Sequence, residues 1–357
     1  MMTTYSIAVL PGDGIGKEVM PEALKVLKRV GQLCGIGFAF RHFDWSCETW
    51  LKAGRMMPDD GMAQLAQNDA ILLGAVGYPG VPDHLSLWGM LLKIRREFDQ
   101  YVNLRPVRLL PGIPCPLAGK KPGDVDFWIV RENVEGEYSR IGGRFAEGTP
   151  AEGVAQTAIF TRHGTDRILR YAFELARGLG RPHVTSATKS NGLFHSMPYW
   201  DERFAAIGRD YPDVRTDQYH IDILAARFVM SPERFDVVVG SNLFGDILSD
   251  LGPGMTGTIA VAPSANINPE KAYPSMFEPV HGSAPDIYGQ AIANPIGQIW
   301  AAAMMLDHLG EAEAGSMILR ALSAVLERAD APRTPDMGGS AKTADLGDAI
   351  AAALPAS

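Results

Sequence analysis

Apolar residues along this chain fall into two alternating kinds of segment. Short, nearly unbroken apolar runs stand at Ile7 to Leu10, Ala70 to Gly77, Phe127 to Val130 and Asp236 to Gly240, with the length and branched content of buried strands. After the first run the spacing changes: in Val19-Met20-Pro21-Glu22-Ala23-Leu24-Lys25-Val26-Leu27 the apolar positions recur at helical intervals. Gly12, Gly14 and Gly16 stand between the two, so the unit reads as strand, glycine turn and helix. Buried strands alternating with helices predict an α/β architecture. Gly136 to Gly153 breaks the alternation with Gly, charge and turn residues and leads into the β-prone Ala155 to Thr161, which predicts a protruding hairpin or arm.

A length of 357 residues gives room for two domains, and 46% hydrophobic with 21% charged residues is globular composition. The formal charge of −8 opposes binding to a phosphate backbone, which excludes nucleic acid as an expected partner. No apolar run reaches the roughly 18–20 residues that span a bilayer, and the run from Trp300 to Leu306 is too short. The first residues carry no basic segment with an apolar stretch and cleavage site, so the expected location is the cytoplasm, with no membrane partner. Cys34, Cys47 and Cys115 are widely spaced and suggest neither a disulfide framework nor a thiolate zinc site.

The first glycine turn invites a phosphate reading, but its spacing fails. A Gly-x-Gly-x-x-Gly fingerprint starting at Gly12 needs glycine where Lys17 stands, and a P-loop would need Ser or Thr where Glu18 follows it. A tight strand-to-helix turn is the simpler reading, although a loop at a strand's C-terminal end can still border a ligand. The acidic pattern is more informative. Asp246 and Asp250 in Asn242-Leu243-Phe244-Gly245-Asp246-Ile247-Leu248-Ser249-Asp250 lie one helical turn apart, where like charges repel unless a cation intervenes. Asp222 stands among apolar residues in His220-Ile221-Asp222-Ile223-Leu224, where an unpaired buried carboxylate would be costly. Three carboxylates without His or Cys favour Mg²⁺ or Mn²⁺; the alternative is that Asp246 caps a helix and Asp250 is a solvated charge. Arg95, Arg105 and Arg131 stand where side chains reach a cleft and suit bidentate carboxylate recognition, although any one alone reads as a surface ion pair.

Taken together, Asn103-Leu104-Arg105-Pro106, Val130-Arg131-Glu132-Asn133-Val134-Glu135-Gly136-Glu137-Tyr138, Ser186-Ala187-Thr188-Lys189-Ser190-Asn191, Asn242 to Asp250 and Glu278-Pro279-Val280-His281-Gly282-Ser283-Ala284-Pro285-Asp286-Ile287 resemble the metal-dependent β-decarboxylating dehydrogenases. That family includes isocitrate, 3-isopropylmalate, D-malate and tartrate dehydrogenases. The motifs keep the family's order over nearly the whole chain. The resemblance implies a two-domain, isopropylmalate-dehydrogenase-like α/β fold that is not a Rossmann fold, with a β arm from the central domain at a dimer interface. It places a discontinuous cofactor-binding domain at 1–103 and 260–357 and a central substrate, metal and dimerisation domain at 104–259. It further implies a homodimer with active sites shared between subunits. Arg95, Arg105 and Arg131 would hold the carboxylates of a small 2-hydroxy dicarboxylate. Asp246 and Asp250, with Asp222 from the other subunit, would carry Mg²⁺ or Mn²⁺, and K⁺ is an activator the resemblance allows. Lys189 would act as base at the 2-hydroxyl and Tyr138 would protonate the carbon left by CO₂ loss.

The same resemblance makes His281, Gly282, Ser283, Ala284, Pro285 and Asp286 an adenosine-binding loop, with Asn294 as an adenine contact. A carboxylate at Asp286 would accept from both ribose hydroxyls and repel a 2′-phosphate, which favours NAD over NADP. Substrate choice is expected on the helix of Arg95, where Trp88, Leu91 and Arg95 fall along one face at α-helical spacing. Bulk at Trp88 suits a small C3 substituent, as in D-malate or tartrate. A small apolar residue there would have favoured 3-isopropylmalate dehydrogenase, and a non-catalytic regulatory subunit would have lost some of Tyr138, Lys189, Asp222, Asp246 and Asp250.

Overall fold

The computed structural model describes residues 3–355. Its strands are β1 (Thr3–Gly12), β2 (Ile36–His42), β3 (Ala70–Ala75), β4 (Val102–Arg108), β5 (Asp126–Glu132), β6 (Gly142–Phe145), β7 (Gly153–Gln156), β8 (His183–Thr188), β9 (Arg215–His220), β10 (Val237–Gly240), β11 (Pro263–Ile267) and β12 (Ser275–Pro279). Helices connect most of them, as the alternation of apolar patterns predicts. The chain forms two compact units, one made of the segments up to Gln100, Leu104–Val125 and Gly252 onward, the other of Tyr101–Asn103 and Asp126–Leu251.

In the discontinuous unit the strand order is β2-β1-β3-β12-β11-β4. β1, β2, β3 and β12 run parallel, with Ile7 opposite Ala70 and Thr3 opposite Ile36, whereas β11 is antiparallel to β12. β3 is buried along its whole length, as expected for a parallel strand covered on both faces. The Trp300 to Leu306 run belongs to the Ile296–Leu309 helix, whose residues are buried almost all round; it is a core helix. Among the described residues no helix is long and apolar enough to cross a membrane. Leu104–Val125 and Gly252 belong to this unit, where β4 lies beside β11 and a Cβ on Gly252 would meet Val107 at 2.4 Å.

The second unit carries the parallel order β5-β10-β8-β9, with Val237 opposite both Trp128 and Val184. Its core joins Phe127, Phe228 and Phe235 in one ring cluster and Phe173, Phe204 and Tyr211 in another. The Gly136 to Thr161 stretch forms the expected hairpin: β6 and β7 pair antiparallel as a separate sheet, with Ile141, Phe145 and Val154 exposed on it.

Candidate functional site

In the second unit, β5 ends in Arg131 and Glu132, and β10 leads directly into the Asn242–Thr256 helix. The helix start is held by Glu137, whose carboxylate accepts from Ser241 Oγ at 2.7 Å and from the Leu243 N–H at 3.1 Å, serving donors that a helix N-terminus leaves unpaired. Gly245 lets this helix lie on the arginine, since a Cβ there would meet Arg131 Cβ at 2.5 Å. The buried Arg131 donates to Asn242 Oδ1 from Nε and Nη2, at 3.1 and 2.7 Å, and from Nη1 to Asp246. The Tyr138 hydroxyl donates to the other oxygen of Asp246 at 2.6 Å, and the guanidinium lies 5.3 Å from the centre of the Tyr138 ring. Arg131, Tyr138 and Asp246 thus form one cluster around a single carboxylate. Asp250 lies one turn along the helix on its exposed part.

Lys189, just past β8, donates to Asp222 Oδ1 at 2.7 Å, and its ammonium holds the Asp222 carboxyl below the ordinary carboxylate range. The burial expected for Asp222 from its apolar neighbours is not found: its side chain is 67% exposed. The Ile221–Met230 helix buries Leu224 and Phe228, and Asp222, two residues before Leu224, projects from the other side with Ile223. Among the described residues of one chain, no three His, Cys, Asp or Glu side chains converge as a cation site, so Asp222 does not join Asp246 and Asp250 within a single copy.

In the discontinuous unit, Arg95 is buried and donates from Nη2 to Glu278 Oε1 at 2.8 Å, an oxygen that also accepts from Asn266 at 2.8 Å. Arg105, on β4, donates from Nε to Ser264 Oγ at 3.3 Å. The helical face expected to align Trp88 with Arg95 is broken by a π-turn over Leu87–Leu91, where the Leu92 N–H reaches back to the Leu87 carbonyl. The wide turn takes up about one extra residue, so Trp88 aligns with the residue after Arg95. The Arg96 guanidinium lies 4.5 Å from the Trp88 ring centre, and Leu91 is buried in the core beneath.

The 281–286 segment follows β12 and packs on the first glycine turn. The Ile15 N–H donates to the Ser283 carbonyl at 2.9 Å, and a Cβ on Gly14, which has φ +52°, would sit 2.0 Å from that oxygen. The turn that fails as a phosphate motif therefore seats this segment. His281 is buried with Nδ1 against its neighbour's carbonyl at 2.9 Å, and burial holds it below the ordinary imidazole range. Its Nε2 has no partner among the described residues. Ser283 is buried, Ala284 turns the chain at φ +40°, and Gly282, Pro285 and Asp286 are exposed. The Asn294 amide is engaged within the protein: it donates to Asp336 at 3.0 Å and accepts from the Ile296 N–H at 3.0 Å. Sequence reasoning missed Asp336, which gathers Asn294, Thr258 and Thr334, and Asp13, the one acidic residue in the glycine turn.

The family model described as isocitrate/isopropylmalate dehydrogenase matches residues 6–350, and the chain belongs to that family. It is 63% identical over 357 residues, 98% of each chain, to a protein of Escherichia coli (strain K12) named D-malate dehydrogenase [decarboxylating]. It is also 58% identical over 359 residues, 98% of each chain, to the tartrate dehydrogenase/decarboxylase of Pseudomonas putida. Among solved structures, isocitrate dehydrogenase from Methylococcus capsulatus superposes with a TM-score of 0.89 at 34% identity, covering 98% of this chain and 99% of the other.

Proposed function

We propose that this chain oxidises the 2-hydroxyl of a small 2-hydroxy dicarboxylate, tartrate or D-malate, with NAD and a divalent cation, and releases CO₂ from the β-keto acid so formed. D-malate would give pyruvate, CO₂ and NADH. The names of the relatives support the substrate class, and the Tyr138–Asp246 hydrogen bond of 2.6 Å beside Arg131 carries the chemical reading. It sets a proton donor against a carboxylate of the expected cation set.

The residues present fit both groups. Asp246 and Asp250 offer hard oxygen donors one helical turn apart, with no thiolate or imidazole, which suits Mg²⁺ or Mn²⁺. Asp222 of a second copy would complete the set. The unpartnered, buried Nε2 of His281 and the exposed carboxylate of Asp286 fit a dinucleotide's hydroxyls and base, and an uncharged 2′ position favours NAD. When bound, the cation would acidify the 2-hydroxyl and stabilise enolate charge. Arg95, Arg105 and Arg131 would hold the carboxylates of the diacid. Lys189, as the free amine, would take the hydroxyl proton as hydride leaves C2 and so become the ammonium, and after the bond to the departing carboxylate breaks Tyr138 would return a proton to C3.

Sharing the site between copies would account for the pairing of a half-buried Lys189 with an exposed Asp222 while Asp246 sits in a different cluster. Exposed Ile223, Val229, Met230 and Ile247 on the two helices carrying Asp222 and Asp246 offer apolar surface for a second copy. Three unpaired cysteines, Cys34, Cys47 and Cys115, fit a reducing compartment such as the cytoplasm. The discontinuous unit is assigned cofactor binding and the second unit the cation and dimerisation.

Initial rates of NADH formation with Mn²⁺ and K⁺ over D-malate, L-malate, the tartrate isomers, 3-isopropylmalate and isocitrate test the reading. The highest kcat/KM is expected with D-malate or a tartrate. Preference for 3-isopropylmalate would overturn the role given to Trp88, and no NADH with any of them would overturn the activity.

A further inference from the structure

One buried carboxylate fixes the main chain that seats the 281–286 segment. Asp13 is fully buried at the end of β1. Each of its oxygens accepts from the Cys47 N–H at 3.1 Å, and Oδ2 accepts also from the Gly77 N–H at 3.1 Å. Its own N–H donates to the Ala75 carbonyl at 2.8 Å, and its carbonyl accepts from the Gly16 N–H at 3.0 Å. A single side chain therefore ties the glycine turn to the segments that follow β2 and β3. Burial, with Asp13 adjacent, pushes the Cys47 thiol up to about 12, so it brings no second negative charge to the knot.

The residues held in this way face Ser283. Ile15, two residues on, donates to its carbonyl; Gly14 has no room for a Cβ against the same oxygen; and a Cβ on Gly77 would lie 3.2 Å from its Oγ. A turn that needed only closing could use a smaller neutral acceptor, since a charge removed from water is costly unless its hydrogen bonds place something that matters.

We propose that Asp13 is a positioning residue for the dinucleotide: by fixing Gly14, Ile15 and Gly77 it sets Ser283, and through Ser283 the seat of the 281–286 segment. This rests on reading that segment as the NAD loop. Asp13→Asn leaves one acceptor oxygen where Asp13 has two and sets an amide N–H₂ against a main-chain N–H donor, which loosens the knot. The full-length protein, titrated with NADH by fluorescence, is expected to show Kd raised about tenfold or more, with KM for NAD rising alike. At saturating NAD and diacid, kcat stays within about threefold, a split that general destabilisation would not produce. A folded Asp13→Asn protein with wild-type Kd, or with lowered kcat and unmoved KM for NAD, overturns the proposal. If Asp13→Asn does not fold, Asp13→Glu decides: its longer chain displaces both partner segments, so a raised Kd supports the proposal and a wild-type Kd overturns it. Asp286→Lys run alongside separates the two levels. If Asp286→Lys leaves NADH binding unchanged, the loop reading itself fails; if it weakens binding while the Asp13 variants do not, the role of Asp13 alone fails.

Discussion

The two units build their candidate sites from different atoms. Around Asp246 in the second unit, side chains hold side chains: Arg131, Tyr138 and Asn242 converge, and Lys189 and Asp222 pair with each other. Around Ser283 in the discontinuous unit, main chain holds main chain, with glycines giving the clearance and Asp13 collecting N–H groups. Groups that move protons must be side chains with the right chemistry, whereas a surface that seats a long cofactor depends on where the backbone lies. The two designs should therefore fail differently under substitution.

The largest effect is expected where side chains do the chemistry. Lys189→Ala and Tyr138→Phe should each lower kcat by roughly 10²–10⁴ while leaving the thermal midpoint nearly unchanged. Asp246→Asn should lower activity and raise the Mn²⁺ concentration needed for what remains. Mixing Lys189→Ala with Asp246→Asn under demonstrated subunit exchange should recover activity up to about a quarter of wild type, because half the dimers are hybrids with one intact site. No recovery would confine each site to one chain.

Next comes a residue of the side-chain region that serves the main chain. Glu132 accepts from the Val134 N–H at 3.1 Å and the Glu135 N–H at 2.9 Å, and complete burial pushes its carboxyl up from 4.5 to about 8. The folded state thus binds this proton more tightly than the unfolded chain. The associated stability is fully present below about pH 4.5 and is lost as pH rises through about 8. Glu132→Gln keeps an acceptor oxygen and carries no charge, so it should match wild type near pH 4.5 and exceed it above pH 8 by up to a few kcal/mol. Urea unfolding at three pH values checks this, and a difference that does not grow with pH would show that the charge is better solvated than its burial implies.

A smaller change should follow in the cofactor region. Asp286→Lys should lower kcat/KM with NAD and raise it with NADP, moving their ratio about ten- to a hundredfold. Steady-state rates with both cofactors measure it. Equal efficiency of the wild type with NAD and NADP would remove Asp286 from cofactor choice.

What was legible in the sequence divides along the same line. Asp246 and Asp250 stand out by their spacing and Arg131 by its charge at the end of an apolar run, Tyr138 and Lys189 enter only through the family resemblance, and the alternating apolar runs point to the α/β architecture. The glycine turn fits neither phosphate pattern, yet it seats Ser283 through an N–H and a missing Cβ, which no residue pattern displays. Asp13 reads as one turn-forming Asp among glycines until its partners Cys47 and Gly77 are known, because those lie 34 and 64 residues away. Asp222 misled for a related reason: apolar neighbours in sequence bury a side chain only on the face that meets the core, and its helix turns Leu224 and Phe228 there instead.

The smallest expected effect concerns Trp88, where helical periodicity itself misplaced a residue. Regular 3.6-residue turns would set Trp88 above Arg95. The π-turn over Leu87–Leu91 instead stacks it on Arg96, while Arg95 is left to meet Glu278. If Trp88 limits the space for a C3 substituent, Trp88→Leu should raise kcat/KM for 3-isopropylmalate relative to D-malate about three- to tenfold, the scale of a modest change in pocket volume. Arg96→Gln, which removes the cation over the ring but leaves the ring, should move the same ratio by less. If Arg96→Gln changes selectivity as much as Trp88→Leu, the ring acts mainly through its stacking, and the wide turn that creates the stack is the true determinant of selectivity. If neither substitution moves the ratio, Trp88 belongs to the packing of its helix and selectivity lies elsewhere in the chain.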